Sequence, residues 1–206
     1  MLDFLTGGRL ESKDHILLAH GAGAPMTSPF MTAWAEGLAN RGLSVTRFEF
    51  AYMAGRKDGK RRPPPKVEML VAEYEAAIEA LGARRLVVGG KSMGGRVASL
   101  LAGRLHQQGI ISGLVCLGYP FHPPGQPDRL RTAHLENLRC PTLIVQGERD
   151  PFGTRAEVAG YPLAPAIRLH WVTNANHDLA GPGGAKANAG RLATAADAIA
   201  AFAAAQ

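Results

Sequence analysis

A chain of 206 residues, 46% hydrophobic and 19% charged, has the make-up of a globular protein and excludes a disordered or fibrous one. It is long enough to bury roughly 70% of its unfolded surface around one core, so residues 1–206 are expected to form one domain. The net charge of +6 is uneven, because Arg56, Lys57, Lys60, Arg61 and Arg62 crowd one segment with only Asp58 opposing them. No aromatic residues interleave with these charges and no nucleic-acid motif is present, so no nucleic acid is expected as a partner and a solvated loop is the simplest reading. No apolar run approaches about 18 residues, and Met1 to His15 lacks the apolar centre of a signal peptide; a cytoplasmic protein without a membrane role is expected. Cys116, within an apolar run, and Cys140, before Pro141, read as free thiols used for packing.

In chain order, Ile16 to Ala19 reads as a short buried strand that enters the glycine-rich loop His20 to Pro25. Ser28 and Pro29 then suit an N-cap and first turn, and Phe30, Trp34 and Leu38 recur at helical spacing until Gly42. Ser44 to Phe50 is a second strand, and Ala51 to Pro65 is irregular and ends in three prolines. Val67, Leu70, Val71, Tyr74, Ile78 and Leu81 mark a helix that stops at Gly82.

Leu86-Val87-Val88 leads into Gly89 to Gly95, followed by helix-spaced Val97, Leu100, Leu101 and Leu105. Ile110 to Leu117 is a buried strand, Gly118 to Gly125 a rigid loop, and Leu130 to Leu138 offers a short helix. Thr142 to Val145 is a strand that empties into Gln146 to Pro151. Ala166 to Val172 is the last strand, and Leu192, Ala195, Ile199 and Phe202 mark a closing helix. Short apolar strands separated by helices predict an α/β protein with a mostly parallel sheet of six to seven strands, covered on both faces as a three-layer sandwich. Ligands of such sheets bind beyond the carboxyl ends of the strands. Ser92, Asp150, His177 and the loop at His20 to Ala24 all follow strand ends.

Gly90-x-Ser92-x-Gly94 fits a sharp strand-to-helix turn that lifts one hydroxyl above the sheet, with glycines relieving the crowding. Gly90-Lys91-Ser92 also resembles the end of a phosphate-binding loop, but that loop needs a glycine where Arg85 stands. A serine hydroxyl needs a base within reach and a group that orients the base. His177 and Asp150 can supply both, in the chain order Ser92, Asp150, His177. Glu148 and Asp178 are less suitable acids: one comes early in the strand-exit turn and the other adjoins His177. His15, His20, His106, His122, His134 and His170 compete as the base; His20 more naturally braces its loop, His170 sits inside a strand and His106 on a helix away from the predicted site, and His122 could line the cleft. Met93 N–H and Ala22 N–H, with Gly23 the alternative to Ala22, are expected to form an oxyanion hole. Tyr52, Met53, Tyr119, Phe121 and Phe152 follow strand ends and could wall a substrate pocket. No cluster has metal-ligand spacing and no cofactor fingerprint is present, so neither metal nor cofactor is expected.

On His20-Gly21-Ala22-Gly23, Ser28-Pro29-Phe30-Met31, Arg47-Phe48-Glu49-Phe50 with Tyr52-Met53, Gly90 to Arg96 and Gly118-Tyr119-Pro120, the chain resembles a small α/β-hydrolase of the dienelactone-hydrolase-like branch. More narrowly it is similar to a subgroup that includes a testis-expressed hydrolase-like protein and a subunit of a nuclear histone-acetyltransferase complex. The resemblance implies the α/β-hydrolase fold and the catalytic positions Ser92, Asp150 and His177. Two departures are informative. Dienelactone hydrolases use cysteine where Ser92 stands, and no insertion after Ile110 to Leu117 is long enough for a lid. The expectation is a serine hydrolase, monomer or homodimer, that cleaves a small ester, thioester or related acyl compound through an acyl-enzyme on Ser92. The alternative is a non-catalytic module of the same fold that uses residues 56–62 to hold an acidic partner.

Overall fold

The computed structural model describes residues 3–8, 14–55, 63–82 and 85–206; the basic segment 56–62 lies outside them. Among the described residues seven strands form one sheet: β1 (Phe4–Gly7), β2 (His15–Ala19), β3 (Ser44–Phe48), β4 (Leu86–Lys91), β5 (Ile111–Leu117), β6 (Thr142–Gly147) and β7 (Ile167–Val172). Their spatial order is β1-β3-β2-β4-β5-β6-β7, parallel throughout except for β1, which pairs antiparallel with β3. The central strands are buried on both faces, which is why they read as continuous apolar runs.

Helices cover both faces. α1 (Pro29–Ala39) starts where the Ser28 hydroxyl accepts from Met31 N–H, with Pro29 in the first turn, and it buries Met31, Trp34 and Leu38. On the same face lies the closing helix, which buries Ala195, Ile199 and Phe202. Opposite, α3 (Val67–Leu81) buries Leu70, Tyr74 and Ile78 and ends at Gly82 in the left-handed region; α4 (Met93–Gln107) buries Val97, Leu101 and Leu105. Two apolar clusters therefore sandwich the sheet. With α2 (Ala51–Ala54) and α5 (Arg155–Val158) the closing helix becomes α6 (Gly184–Ala204).

Four features depart from the sequence expectations. β1 was not anticipated: it is four residues long and largely exposed, so its apolar pattern is too short to register. Leu130 to Leu138 contains only a 3-10 turn at Ala133–Leu135, because the backbone around it is committed elsewhere: Arg131 N–H donates to Phe121 O, and Leu135 O accepts from Ala164 N–H. α2 occupies part of a stretch expected to be irregular. α5 is a single turn closed by a capping box between Thr154 and Glu157.

The chain runs from β2 out to β3 and then returns to place β4 on the other side of β2. The order thus reverses between β2 and β4, which opens a crevice beyond their carboxyl ends. Tyr74 fixes the two strands there, since its buried hydroxyl accepts from Gly89 N–H and lies within hydrogen-bond distance of Leu17 O and Gly89 O.

Candidate active site

Ser92 sits between β4 and α4 with φ 49° and ψ −111°, a conformation that a non-glycine residue adopts only under strain. The strain costs about 1 to 3 kcal/mol. Burying one valine or leucine contributes a comparable amount, and Val88, Val97 and Leu101 are all buried around the turn. Crowding explains the flanking glycines. A Cβ at Gly94 would stand 2.5 Å from Ala19 O and 2.6 Å from His20 O, and one at Gly90 would overlap Ala19 O. The turn is therefore pressed against the end of β2, which brings the His20 to Ala24 loop beside Ser92.

His177 follows β7 in a loop held by Asn176, whose side-chain oxygen accepts from Asp178 N–H and Ala180 N–H. The His177 ring spans the site, with Nε2 2.9 Å from Ser92 Oγ and Nδ1 2.8 Å from Asp150 Oδ2. Because the carboxylate only accepts, the neutral ring carries its proton on Nδ1 and leaves Nε2 to accept from the serine hydroxyl. Asp150 is fully buried. Its Oδ2 also accepts from Gln146 Nε2 and its Oδ1 accepts from Phe152 N–H, so its orientation is fixed. Phe152 packs against the imidazole with ring centroids 4.2 Å apart. A hydroxyl bonded to an imidazole that is bonded to a buried carboxylate can be deprotonated as it attacks an electrophile.

Two lobes of one cleft meet at Ser92. The first, about 300 Å³, is lined by the His20 to Ala24 loop, Phe30, Met31 and Lys91; the second, about 340 Å³, by Pro64, Pro65, Lys66, Arg96 and Arg131. Ala22, Ser92 and Phe152 border both. Met93 is the first residue of α4, where helix geometry leaves N–H groups without intrahelical acceptors and Ser92 makes no side-chain cap. The positive end of the helix dipole thus lies next to Ser92.

Residues 12–204 match the family model described as an alpha/beta hydrolase domain. The chain belongs to the α/β-hydrolase family. Among solved structures, this α/β-hydrolase is similar to a dienelactone hydrolase from Anabaena variabilis, at 21% identity over 98% of this chain and 90% of that one, with a TM-score of 0.74. It is similar to a serine hydrolase homologue from Coxiella burnetii at 18% identity, covering 97% and 90% of the two chains, with a TM-score of 0.69. A serine hydrolase without lid from Xanthomonas campestris matches at 16% identity over 96% and 87%, with a TM-score of 0.68. At these identities the likeness is one of fold. Among the described residues no helix of this α/β-hydrolase is long and apolar enough to cross a membrane.

The remaining sequence candidates fall in different places. Tyr52 donates to Ala22 O and so braces the loop beside Ser92. Tyr119, Phe121, His122 and Met53 do not wall the cleft, because all four are buried; Tyr119 and Phe121 stack edge-to-face in the core, and His122 lies under its loop against Pro123 O. Position after a strand end does not distinguish a cleft wall from core. Glu148 is occupied by Asn174 N–H and Arg155, which hold its carboxyl below the usual range, and Asp178 pairs with Lys91. His20 lies in the core side of its loop, accepting from Phe50 N–H and donating to Gly21 O. Both cysteines are free and buried, and burial pushes the Cys140 thiol up to about 12.

A second serine and histidine also meet, with Ser99 Oγ 2.8 Å from His134 Nε2. Ser99 is buried on α4 and donates to Arg96 O, and burial with Arg96 nearby pushes His134 down to about 4. Neither residue of this pair is among the described lining of either lobe.

Two residues in the site were not singled out from sequence. Gln146 is fully buried at the end of β6; it ties Asp150 to the Tyr119 backbone and to Gly153 O. A lone amide closing an apolar strand was the available signal. Lys91, beside Ser92, donates to His177 O, lies 3.3 Å from Asp178 Oδ1 and sits over the Phe30 ring.

Proposed function

We propose that this α/β-hydrolase is a serine hydrolase of small ester, thioester or related acyl compounds, with Ser92 as nucleophile, His177 as base and Asp150 orienting the base. The observation that carries the reading is the continuous hydrogen-bond chain from Ser92 Oγ through His177 to buried Asp150, opening on a cleft. Ser92 Oγ bonds to the carbonyl carbon while its proton passes to His177 Nε2. The carbonyl oxygen becomes negative, facing Met93 N–H and Ala22 N–H, with Gly23 N–H the alternative donor; such a pair contributes about 3 to 4 kcal/mol. The C–O or C–S bond then breaks and the leaving group takes the proton from His177. Water gives a proton to the same nitrogen, attacks the acyl-enzyme and releases the acid, and Ser92 recovers its proton. Asp150 stays ionised throughout and stabilises the imidazolium.

A panel of short-chain phenyl esters and thioesters tests this. Ser92→Ala and His177→Ala should each lower kcat by about 10⁴-fold. Turnover that survives either substitution would place the chemistry elsewhere.

A further inference from the structure

The two lobes that meet at Ser92 differ in charge. In the first, Lys91 is the only lysine or arginine among the described lining residues, and it is paired with Asp178. The second has three cations on its wall, Lys66, Arg96 and Arg131, and no carboxylate among its described lining residues. Arg131 is half-buried and makes no ion pair among the described residues. Burial, together with the positive charges of Arg96 and Arg129, holds its guanidinium below the ordinary arginine value. Arg96 is only 21% exposed; its nearest acid is the largely exposed Glu68 at 3.7 Å, beyond hydrogen-bond distance, and its buried Nε has no partner. Two guanidiniums on different elements, α4 and the loop after β5, converge on one cleft, and among the described residues the only acid paired with either is the largely exposed Glu68, which lines no part of it.

Such an arrangement is costly in the empty protein. Like charges repel where water is partly excluded, and a buried guanidinium N–H without an acceptor loses the hydration it had in the unfolded chain. An anion in the lobe would remove both costs, because planar guanidiniums match the paired oxygens of a carboxylate or phosphate. The geometry points to an anion subsite in the second lobe, built by Arg96 and Arg131 with Lys66 at its rim, which takes a carboxylate or phosphate carried by the acyl substrate. This rests on Ser92 being the nucleophile: a substrate whose carbonyl lies over Ser92 has one arm in the apolar first lobe and its anionic arm in the basic second lobe. The substrate class is thereby narrowed to acidic esters or thioesters. The anion forms no bond and changes no step; it fixes which arm lies on which side of the carbonyl.

The test compares matched esters. On the leaving-group side these are 4-carboxyphenyl, 4-phosphonophenyl and 4-carbamoylphenyl acetate; on the acyl side, phenyl hydrogen glutarate and phenyl glutaramate. For the parent, kcat/KM of at least one anionic ester should exceed that of its neutral partner by about tenfold or more, as expected for charge-assisted hydrogen bonds. The preference should shrink in added salt, and the better of the carboxylate and phosphonate arms identifies the group. Arg131→Gln should bring the ratio close to one and Arg131→Lys should keep part of it. The two main-chain bonds of Arg131, to Phe121 O and from the Tyr119 hydroxyl, do not involve its side chain, so the variant is expected to fold. A parent ratio near or below one for every pair, or a ratio unchanged in Arg131→Gln, overturns the subsite. If no ester at all is cleaved, the nucleophile assignment fails by itself and the subsite is judged by binding. A thermal shift caused by inorganic phosphate or glutarate and abolished in Arg131→Gln retains it, and no shift, or an equal one, refutes it.

Discussion

Lys91→Met separates the positioning of His177, the proposed base, from the stability of the fold. The substitution keeps an unbranched side chain and removes an ammonium that donates to His177 O, lies 3.3 Å from Asp178 Oδ1 and is about 10% exposed. For folding, two effects oppose. Burial disfavours the charge and outweighs the pull of Asp178, so the Lys91 pKa lies below its usual value. The Asp178 side chain, 70% exposed, stays hydrated once its partner is gone. The usual penalty for stranding a buried charge is therefore absent, and release of the desolvated ammonium offsets the lost bond to His177 O, so stability should stay within about 1 kcal/mol of the parent. For activity, a hydrogen bond from a charged donor is worth about 1.5 to 3 kcal/mol, and this one holds the main chain of His177, the proposed base. Its loss should lower kcat by about 10- to 150-fold with little change in KM.

The pH profile adds a second readout. Because the folded pKa of Lys91 is depressed, the unfolded chain binds more protons in the interval between that pKa and about 10.5, so stability rises with pH there. Activity runs the other way: the ammonium is needed, so the parent should lose rate as pH rises through the Lys91 pKa. Lys91→Met, already slow, should show no such alkaline loss. Steady-state kinetics from neutral to alkaline pH, with melting curves on the same samples, measure both. A folded Lys91→Met protein with kcat within twofold of the parent would refute the positioning argument.

Three other outcomes follow from the packing. Gly94→Ala places a methyl within 2.6 Å of two carbonyl oxygens at the end of β2, so the protein should melt well below the parent or lose ester turnover in folded material, as circular dichroism with kinetics would show. Tyr74→Phe leaves Gly89 N–H without its buried acceptor, and chemical denaturation should find a loss of about 1 to 3 kcal/mol. His134, pushed down to about 4, binds its proton more readily when unfolded, so its contribution to stability is present above about pH 6.5 and is lost as pH falls toward 4. Urea midpoints at pH 7 and pH 5 should therefore converge more closely in His134→Gln than in the parent.

The parallel sheet was legible because each central strand is buried on both faces and writes that burial as an unbroken apolar run, as in Leu86 to Val88 and Leu114 to Leu117. Ser92 and Asp150 were legible as candidates because each follows such a run, and His177 because it follows the last strand, although β7 is only half-buried and carries Arg168 and His170. The partners that hold them were not. Gln146 and Lys91 lie inside strands, and only the three-dimensional register shows that one faces Asp150 and the other the loop of His177. The aromatic residues after β5 misled for a related reason: Gly118 takes φ 66° and turns the chain inward, so Tyr119 and Phe121 fill the core instead of the cleft. Thr154-x-x-Glu157 was a readable helix start. The basic second lobe had no local signature, since Lys66, Arg96 and Arg131 come from three separate parts of the chain.

The most direct test of the central claim is covalent labelling by a fluorophosphonate, with mass spectrometry locating the adduct. The account predicts stoichiometric modification of Ser92 in the parent and in Ser99→Ala, with loss of labelling in Ser92→Ala and a rate reduced by orders of magnitude in His177→Ala. An unlabelled parent protein, or an adduct that persists in Ser92→Ala, would contradict it.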